Sequence, residues 1–201
     1  MFDTAIRKRI DPALDRLAGG LARYGVGADA VTWTGFALGL GAALAIAAQV
    51  YLAGLLLILA SRLCDGLDGA VARRSGKTDL GGYLDIVLDF AFYGIIPMAF
   101  AIADPQSNAV AACVLVTAFY ANGASFLAFA TMAEKRGAAE ADRGSKSLVY
   151  TLGLAEGFET IAVFIAMCLA PGWFAVLAFG FAAVTLVTTG ARIALAYRTF
   201  R

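Results

Sequence analysis

Between Ala30 and Ser61 the chain carries no charged residue, a run of about 32 positions. One membrane-crossing helix takes roughly 20 apolar residues, so this run predicts two helices joined by a turn, marked by Gln49 and Gly54. Long apolar stretches and short polar breaks continue to the end of the chain. They predict span I over about Ala30–Ala48, span II from near Tyr51, and span III from near Asp79 to the break at Asp104-Pro105. Span IV follows over about Ala109–Met132 and span V over about Leu148–Leu169, and span VI runs beyond Pro171-Gly172 to about Tyr197. Ahead of them, Asp11-Pro12 suits a helix start. Leu14, Leu17, Ala18, Leu21 and Ala22 then recur at helical spacing, as in a helix lying in the membrane interface. The expected fold is an all-α integral membrane protein with six transmembrane helices and an N-terminal interfacial amphipathic helix. It forms one domain over 1–201, with 1–28 juxtamembrane and 29–201 the six-helix bundle.

Composition agrees: 61% of the 201 residues are hydrophobic and the mean hydropathy is +0.77, against about 45–50% apolar in soluble domains. Met1–Arg23 is charged throughout and lacks the apolar core of a cleavable leader. On the predicted topology all sixteen Lys and Arg fall at one end of the bundle. They precede span I, surround the second connection (Arg62, Arg73, Arg74, Lys77) and the fourth (Lys135, Arg136, Arg143, Lys146), and end span VI (Arg192, Arg198, Arg201). The opposite connections hold only Asp104. The positive-inside rule makes the basic end, with both termini, cytoplasmic. There is no histidine, which removes the commonest general base and zinc ligand. Cys64, Cys113 and Cys168 are far apart in apolar sequence and read as packing residues.

Four aspartates interrupt the apolar pattern. Asp65 and Asp68 are three apart on span II, with Gly69 and Ala72 on the same face; Gly81, Asp85 and Asp89 share a face of span III at spacings of four. Carboxylates near a bilayer are costly to desolvate and repel one another, so a cation must sit among them. The two spans are antiparallel across a short connection, which lets the carboxylates converge. An all-oxygen cage favours Mg²⁺ or Mn²⁺, and Mg²⁺ completes its shell with water and substrate phosphate. A phosphate or diphosphate substrate reached from the cytoplasmic face follows. Arg73, beside the cage, either holds a phosphate or pyrimidine group or snorkels to the interface. Asp29 suits the N-cap of span I and Asp79 that of span III. Gly35, Gly39 and Gly41 suit close helix packing.

The run Asp65-x2-Asp68-Gly69-x2-Ala72-Arg73-x7-Gly81-x3-Asp85-x3-Asp89 resembles the signature of the CDP-alcohol phosphatidyltransferase family, with every signature position filled. The likeness covers the whole chain. It is closest to a bacterial inner-membrane branch of the family, through Ser61-Arg-Leu-Cys-Asp65 and Glu156-Gly-Phe-Glu159-Thr. The resemblance implies transfer of a phosphatidyl group from CDP-diacylglycerol to the hydroxyl of a small alcohol, with release of CMP. It implies Asp65, Asp68 and Asp85 as metal ligands and Asp89 as general base that also approaches the metal. Gly69, Ala72, Arg73 and Gly81 would line the CDP site, with Thr32, at the start of span I, near the nucleotide. Two Mg²⁺ or Mn²⁺ ions would polarise the diphosphate and orient an in-line attack; with no histidine, a carboxylate is the natural base. Homodimerisation and a bacterial inner (cytoplasmic) membrane location are also implied. The expected partners are the CDP-lipid, an alcohol and membrane lipid, with no nucleic acid.

Acceptor binding is the open part. Lys135, Lys146 and Arg192 lie at the cytoplasmic ends of spans IV, V and VI, where relatives using a phosphorylated acceptor hold its phosphate. Glu156 and Glu159, three apart on span V, either pair with Arg192 or recognise an amine or hydroxyls of the acceptor. Two other functions compete: an intramembrane prenyltransferase using Mg-diphosphate, and a non-enzymatic cation carrier. The carrier predicts acids at the bilayer midplane open to both sides. The prenyltransferase has acidic motifs without the glycine and Ala-Arg pattern.

Overall fold

The computed structural model describes residues 14–21, 23–136 and 157–201. Among them the chain is helical throughout, with no strand. A short helical segment, 14–21, precedes α1 (Ala28–Ala47), α2 (Tyr51–Ser75), α3 (Asp79–Ala103), α4 (Pro105–Lys135), α5 (Gly157–Leu169) and α6 (Phe174–Phe200), with a 3-10 turn at Pro171–Trp173 before α6. Among the described residues, four stretches are long and apolar enough to cross a membrane: α1, α3, α4 and Pro171–Phe200. α2 has the length, with 25 residues, but carries Arg62, Asp65, Asp68, Arg73 and Arg74. α5 is a shorter apolar helix of 13 residues. The start expected for span V, together with Asp11-Pro12, Ala22, Lys146 and Glu156, lies outside the described residues.

Local chemistry explains the ends. The α1–α2 turn is made at Gln49, whose φ is 63°, and its Nε2 donates to Ala103 O at 2.7 Å, tying this turn to the end of α3. Gly54, expected in that turn, is instead in the first turn of α2; a side chain there would meet Ile46 Cγ1 at 2.6 Å. α2 stops at Gly76, whose φ of 101° a side chain would resist. The N-cap of α3 is Thr78, not Asp79: its Oγ1 accepts from Gly81 N at 3.0 Å. Likewise α1 is capped at Gly27, and Asp29 sits in its first turn. The caps fall one or two residues before the acids because the backbone leaves helical geometry there. Asp104 caps α4, accepting from Ser107 N at 3.1 Å, with Pro105 at the first helical position.

Antiparallel α1 and α2 form a hairpin, α1 also packs on α3, and α3 continues through α4 to α6, while α5 lies against α2. In lipid, helices associate by close packing more than by exclusion of water. The shared interior accordingly holds interlocked rings: Phe100 stacks on Phe174 at 4.6 Å, and Phe92, Phe119 and Phe164 meet edge-on or tilted around Ile46, Ile58, Ile96, Leu115 and Met167. Gly39 of α1 gives Phe92 its space, since a Cβ there would lie 2.7 Å from the ring. Gly123 of α4 does the same for Phe90. Segment 14–21 turns Leu14 and Ala18 onto Ala70 and Val71 of α2, leaving Leu17 exposed. Of the cysteines, Cys168 is buried and Cys64 half-buried, but Cys113 is exposed on α4 rather than packed inside.

Candidate functional site

α1, α2 and α3 meet in a cleft lined by Thr32, Gly35, Phe36, Ser61, Arg62, Asp65, Asp68, Asp85, Leu88 and Asp89. Helical spacing brings Asp65 and Asp68 to one face of α2. Gly35 lets α1 lie against that face, where a Cβ would stand 3.0 Å from Cys64 Cβ. One oxygen each from Asp65, Asp68 and Asp85 lies within 4.8 Å of the others. Asp68 is buried, Asp65 half-buried and Asp85 exposed, so the group opens outward on the α3 side. Three carboxylates converging from two helices form an oxygen-only donor set that fits a hard divalent cation. Thr32 donates to Asp68 Oδ2 at 2.6 Å, fixing that carboxylate from a third helix.

Asp89, the fourth predicted ligand, does not join this group. Arg62 takes it: Nη1 lies 2.6 Å from Asp89 Oδ1 and 3.5 Å from Asp65 Oδ1. The guanidinium also lies over the Phe92 ring, 4.1 Å from its centroid. Arg62 therefore sits midway along α2 and inside the cleft, not in the connection after it. The sequence signal was available, since Arg62 is one helical turn before Asp65 and shares its face.

The residues expected around the nucleotide lie along the same edge. Gly69 and Ala72 are half-buried on α2. Gly81, in the first turn of α3, leaves room for Asp29 of α1, whose Oδ1 is 3.3 Å from where a Cβ would be. Arg73 lies near Gly69 and bridges to Asp15 at 3.3 Å, with both side chains nearly half exposed. An exposed pair of this kind contributes little energy and leaves Arg73 accessible.

The described acceptor candidates lie on three helices. Lys135 is exposed at the end of α4. Glu159 is half-buried in the first turn of α5, with Oε2 buried and without a hydrogen-bond partner among the described residues. Arg192 is buried in α6 and donates to Asn122 O at 3.0 Å, Asn122 Oδ1 at 2.8 Å and Ser125 Oγ at 2.8 Å, all on α4. This α4 segment lies against α3 next to Asp89, because Gly123 receives the ring of Phe90. Asn122 and Ser125 went unread in the sequence; single polar residues in an apolar helix carry no pattern of their own.

Comparison with known proteins agrees with this geometry. Residues 25–191 match the family described as CDP-alcohol phosphatidyltransferase. The chain is 44% identical over 201 residues to the inner membrane protein YnjF of Escherichia coli, covering 100% of this chain and 98% of that protein. It is 42% identical over 96 residues to the archaetidylinositol phosphate synthase of Methanothermobacter thermautotrophicus, covering 47% of this chain and 46% of that one. Among solved structures, the phosphatidylinositol phosphate synthase PgsA1 of Mycobacterium tuberculosis with CDP-DAG bound is similar at a TM-score of 0.66. Identity is 22%, covering 90% of this chain and 92% of the other. This last likeness concerns the fold.

Proposed function

The chain belongs to the CDP-alcohol phosphatidyltransferase family, and from that premise we propose that it transfers a phosphatidyl group from CDP-diacylglycerol to a small alcohol, releasing CMP, with divalent metal. The observation that carries this reading is the convergence of Asp65, Asp68 and Asp85 within 4.8 Å at the family's motif positions. The prenyltransferase and cation-carrier alternatives are set aside by the family match.

Asp65, Asp68 and Asp85 would hold Mg²⁺ or Mn²⁺. A cation there supplies positive charge that offsets the donor diphosphate and the departing CMP. Thr32 keeps Asp68 oriented toward the group. Gly69, Ala72, Arg73 and Gly81 border the cytidine diphosphate; glycine and alanine admit close approach, and Arg73 contributes a positive charge. Asp89 takes the proton of the acceptor hydroxyl. Arg62 holds its Oδ1, so the proton is assigned to Oδ2. The acceptor oxygen forms a bond to the β-phosphorus, the bond from that phosphorus to the CMP oxygen breaks, and CMP leaves with the electron pair.

Lys135, Glu159 and Arg192, with Lys146 outside the described residues, are the residues we assign to the acceptor, since positive charge suits a phosphate and Glu159 suits hydroxyls or an amine. The chain forms one domain crossing a bacterial inner membrane six times, with α2 and α5 as the two crossings of lower hydropathy or shorter described length. Both termini and the cleft face the cytoplasm, the N-terminal helix lies at the membrane surface, and the protein is a homodimer.

The test is CMP release from CDP-diacylglycerol by the purified protein, with Mg²⁺ or Mn²⁺ and, in turn, glycerol 3-phosphate, inositol phosphate, serine, choline and glycerol. Metal-dependent CMP release with one acceptor supports the reading. No release with any of them, in a preparation that binds both metal and CDP-lipid, counts against it.

A further inference from the structure

The face of α3 that carries Gly81, Asp85 and Asp89 at spacings of four continues to Tyr93, the next residue in the series. Tyr93 is half-buried. Its ring meets Phe92 edge-on, with centroids 6.0 Å apart, and tilts against Phe119 of α4 at 6.1 Å. Its hydroxyl reaches the start of α5, where it lies 3.4 Å from the place that a Cβ on Gly157 would take. Glycine there leaves the hydroxyl uncovered by a side chain. A buried tyrosine ring ordinarily comes with a partner for its O–H. The packing that fixes this ring supplies none, and the hydroxyl makes no hydrogen bond among the described residues.

The order of residues along this face gives the hydroxyl a direction. On the reading above, Gly81 borders the cytidine diphosphate, Asp85 belongs to the metal group and Asp89 takes the acceptor proton. The series therefore runs from the leaving group toward the attacking hydroxyl. An in-line displacement sets the attacking oxygen opposite the departing one, so the rest of the acceptor lies beyond Asp89, where Tyr93 stands. A step of four residues is a rise of about 6 Å, the span of a small molecule with two functional groups. We propose that Tyr93 is a specificity residue for the acceptor. Its hydroxyl binds a second hydroxyl of the substrate, beside the one that attacks, and the acceptor is a polyol rather than an alcohol with a single hydroxyl. This rests on the phosphatidyl-transfer reading of the cleft. A neutral phenol both donates to and accepts from a hydroxyl, and it holds that group without bringing a charge next to Asp89.

The experiment measures CMP release by the full-length protein in nanodiscs, with CDP-diacylglycerol and Mg²⁺ or Mn²⁺. Each polyol of the panel is compared with the compound in which the hydroxyl beside the reacting one is replaced by hydrogen. These are 3-hydroxypropyl phosphate for glycerol 3-phosphate, a propanediol for glycerol and a deoxyinositol phosphate for inositol phosphate. A polyol should support release, and its deoxy counterpart should lose about tenfold or more in kcat/KM on the unaltered protein. Tyr93→Phe keeps the ring and removes the hydroxyl. It should raise KM for the polyol by about tenfold, leave KM for CDP-diacylglycerol in place, and use the polyol and its deoxy counterpart alike. Independent losses from the variant and the deoxy compound overturn the proposal, and so does release with serine or choline in place of the polyols. If Tyr93→Phe does not fold, the deoxy compounds on the unaltered protein decide alone, equal rates overturning the assignment. No CMP release with any acceptor would instead overturn the phosphatidyl-transfer reading beneath it, so the two failures are distinguishable.

Discussion

Thr32 Oγ1 lies 2.6 Å from Asp68 Oδ2, linking the first turns of α1 to the acidic face of α2. The same hydroxyl is 3.1 Å from Ala28 O. It has one proton to give, and the charged, closer acceptor takes it. Residues that orient a metal-binding carboxylate are worth about 10–100-fold in metal affinity. Thr32→Val should therefore weaken Mn²⁺ binding by roughly tenfold, while Thr32→Ser stays near the unaltered protein. Equal dissociation constants for all three proteins would remove Thr32 from the site.

Asp89→Asn tests the base. It keeps the shape of the side chain and removes the charge that takes the proton. Loss of general-base assistance costs on the order of 10²–10⁴ in rate, so CMP release should fall by that order while CDP-lipid binding is retained. Turnover at the original rate would end the assignment. Because Asp65 still faces Arg62 at 3.5 Å, the guanidinium is not stranded and the variant should fold.

Arg192 ties α6 to α4. Removing it takes the donor from Ser125 Oγ and leaves Asn122 Oδ1 only the Thr189 hydroxyl at 3.5 Å, in a part-buried setting, a loss of about 1–3 kcal/mol. Arg192→Ala should lower the melting temperature in detergent, and Asn122→Ala should do the same. The double variant should lose less than both added together. Full additivity in that cycle, with a raised KM for the acceptor alone, would mean that Arg192 serves the substrate and not the helix pair.

Gly123→Ala should destabilise the bundle by about 1–3 kcal/mol, the usual cost of overpacking, because the added methyl enters the Phe90 ring. Gly180→Ala is the matched control, a helical glycine on α6 with open space around it. Thermal unfolding of the two side by side checks this; an equal shift in both would show that helix propensity, not the α3–α4 contact, sets the outcome.

Asp104, in the break between α3 and α4, accepts hydrogen bonds from the Ser107 hydroxyl and then the Ser107 N–H, which hold its carboxyl below the ordinary carboxylate range. A depressed folded pKa stabilises the fold above the unfolded pKa, and that contribution is lost as pH falls through the folded value. Stability should therefore decline toward acid, and Asp104→Asn should flatten that decline. An unchanged acid slope in the variant would assign the slope to other groups.

The sequence made much of this legible. Apolar length marked the ends of α3 near Asp79 and Ala103, because a break such as Asp104-Pro105 stops a helix wherever it occurs. Spacing of three put Asp65 and Asp68 on one face, because helical geometry is local. Caps were less legible. Asp29 and Asp79 have the right chemistry, yet Gly27 and Thr78 hold the positions, since a cap is set by where the backbone turns.

By itself, the sequence determined that this is a helical chain with an acidic hairpin of the family's spacing, since periodicity and composition act over a few turns. Only the tertiary structure decided which carboxylates meet. Asp85 and Asp89 share a face of α3, but Asp85 joins Asp65 and Asp68 while Asp89 is held by Arg62. Likewise it sent Arg192 to Asn122 and Ser125, partners far away in sequence. The reason is the same in both cases. A helix decides which side chains share a face, but the depth and angle at which two helices pack, set here by Gly35, Gly39 and Gly123 admitting Cys64, Phe92 and Phe90, decide which charges lie within reach.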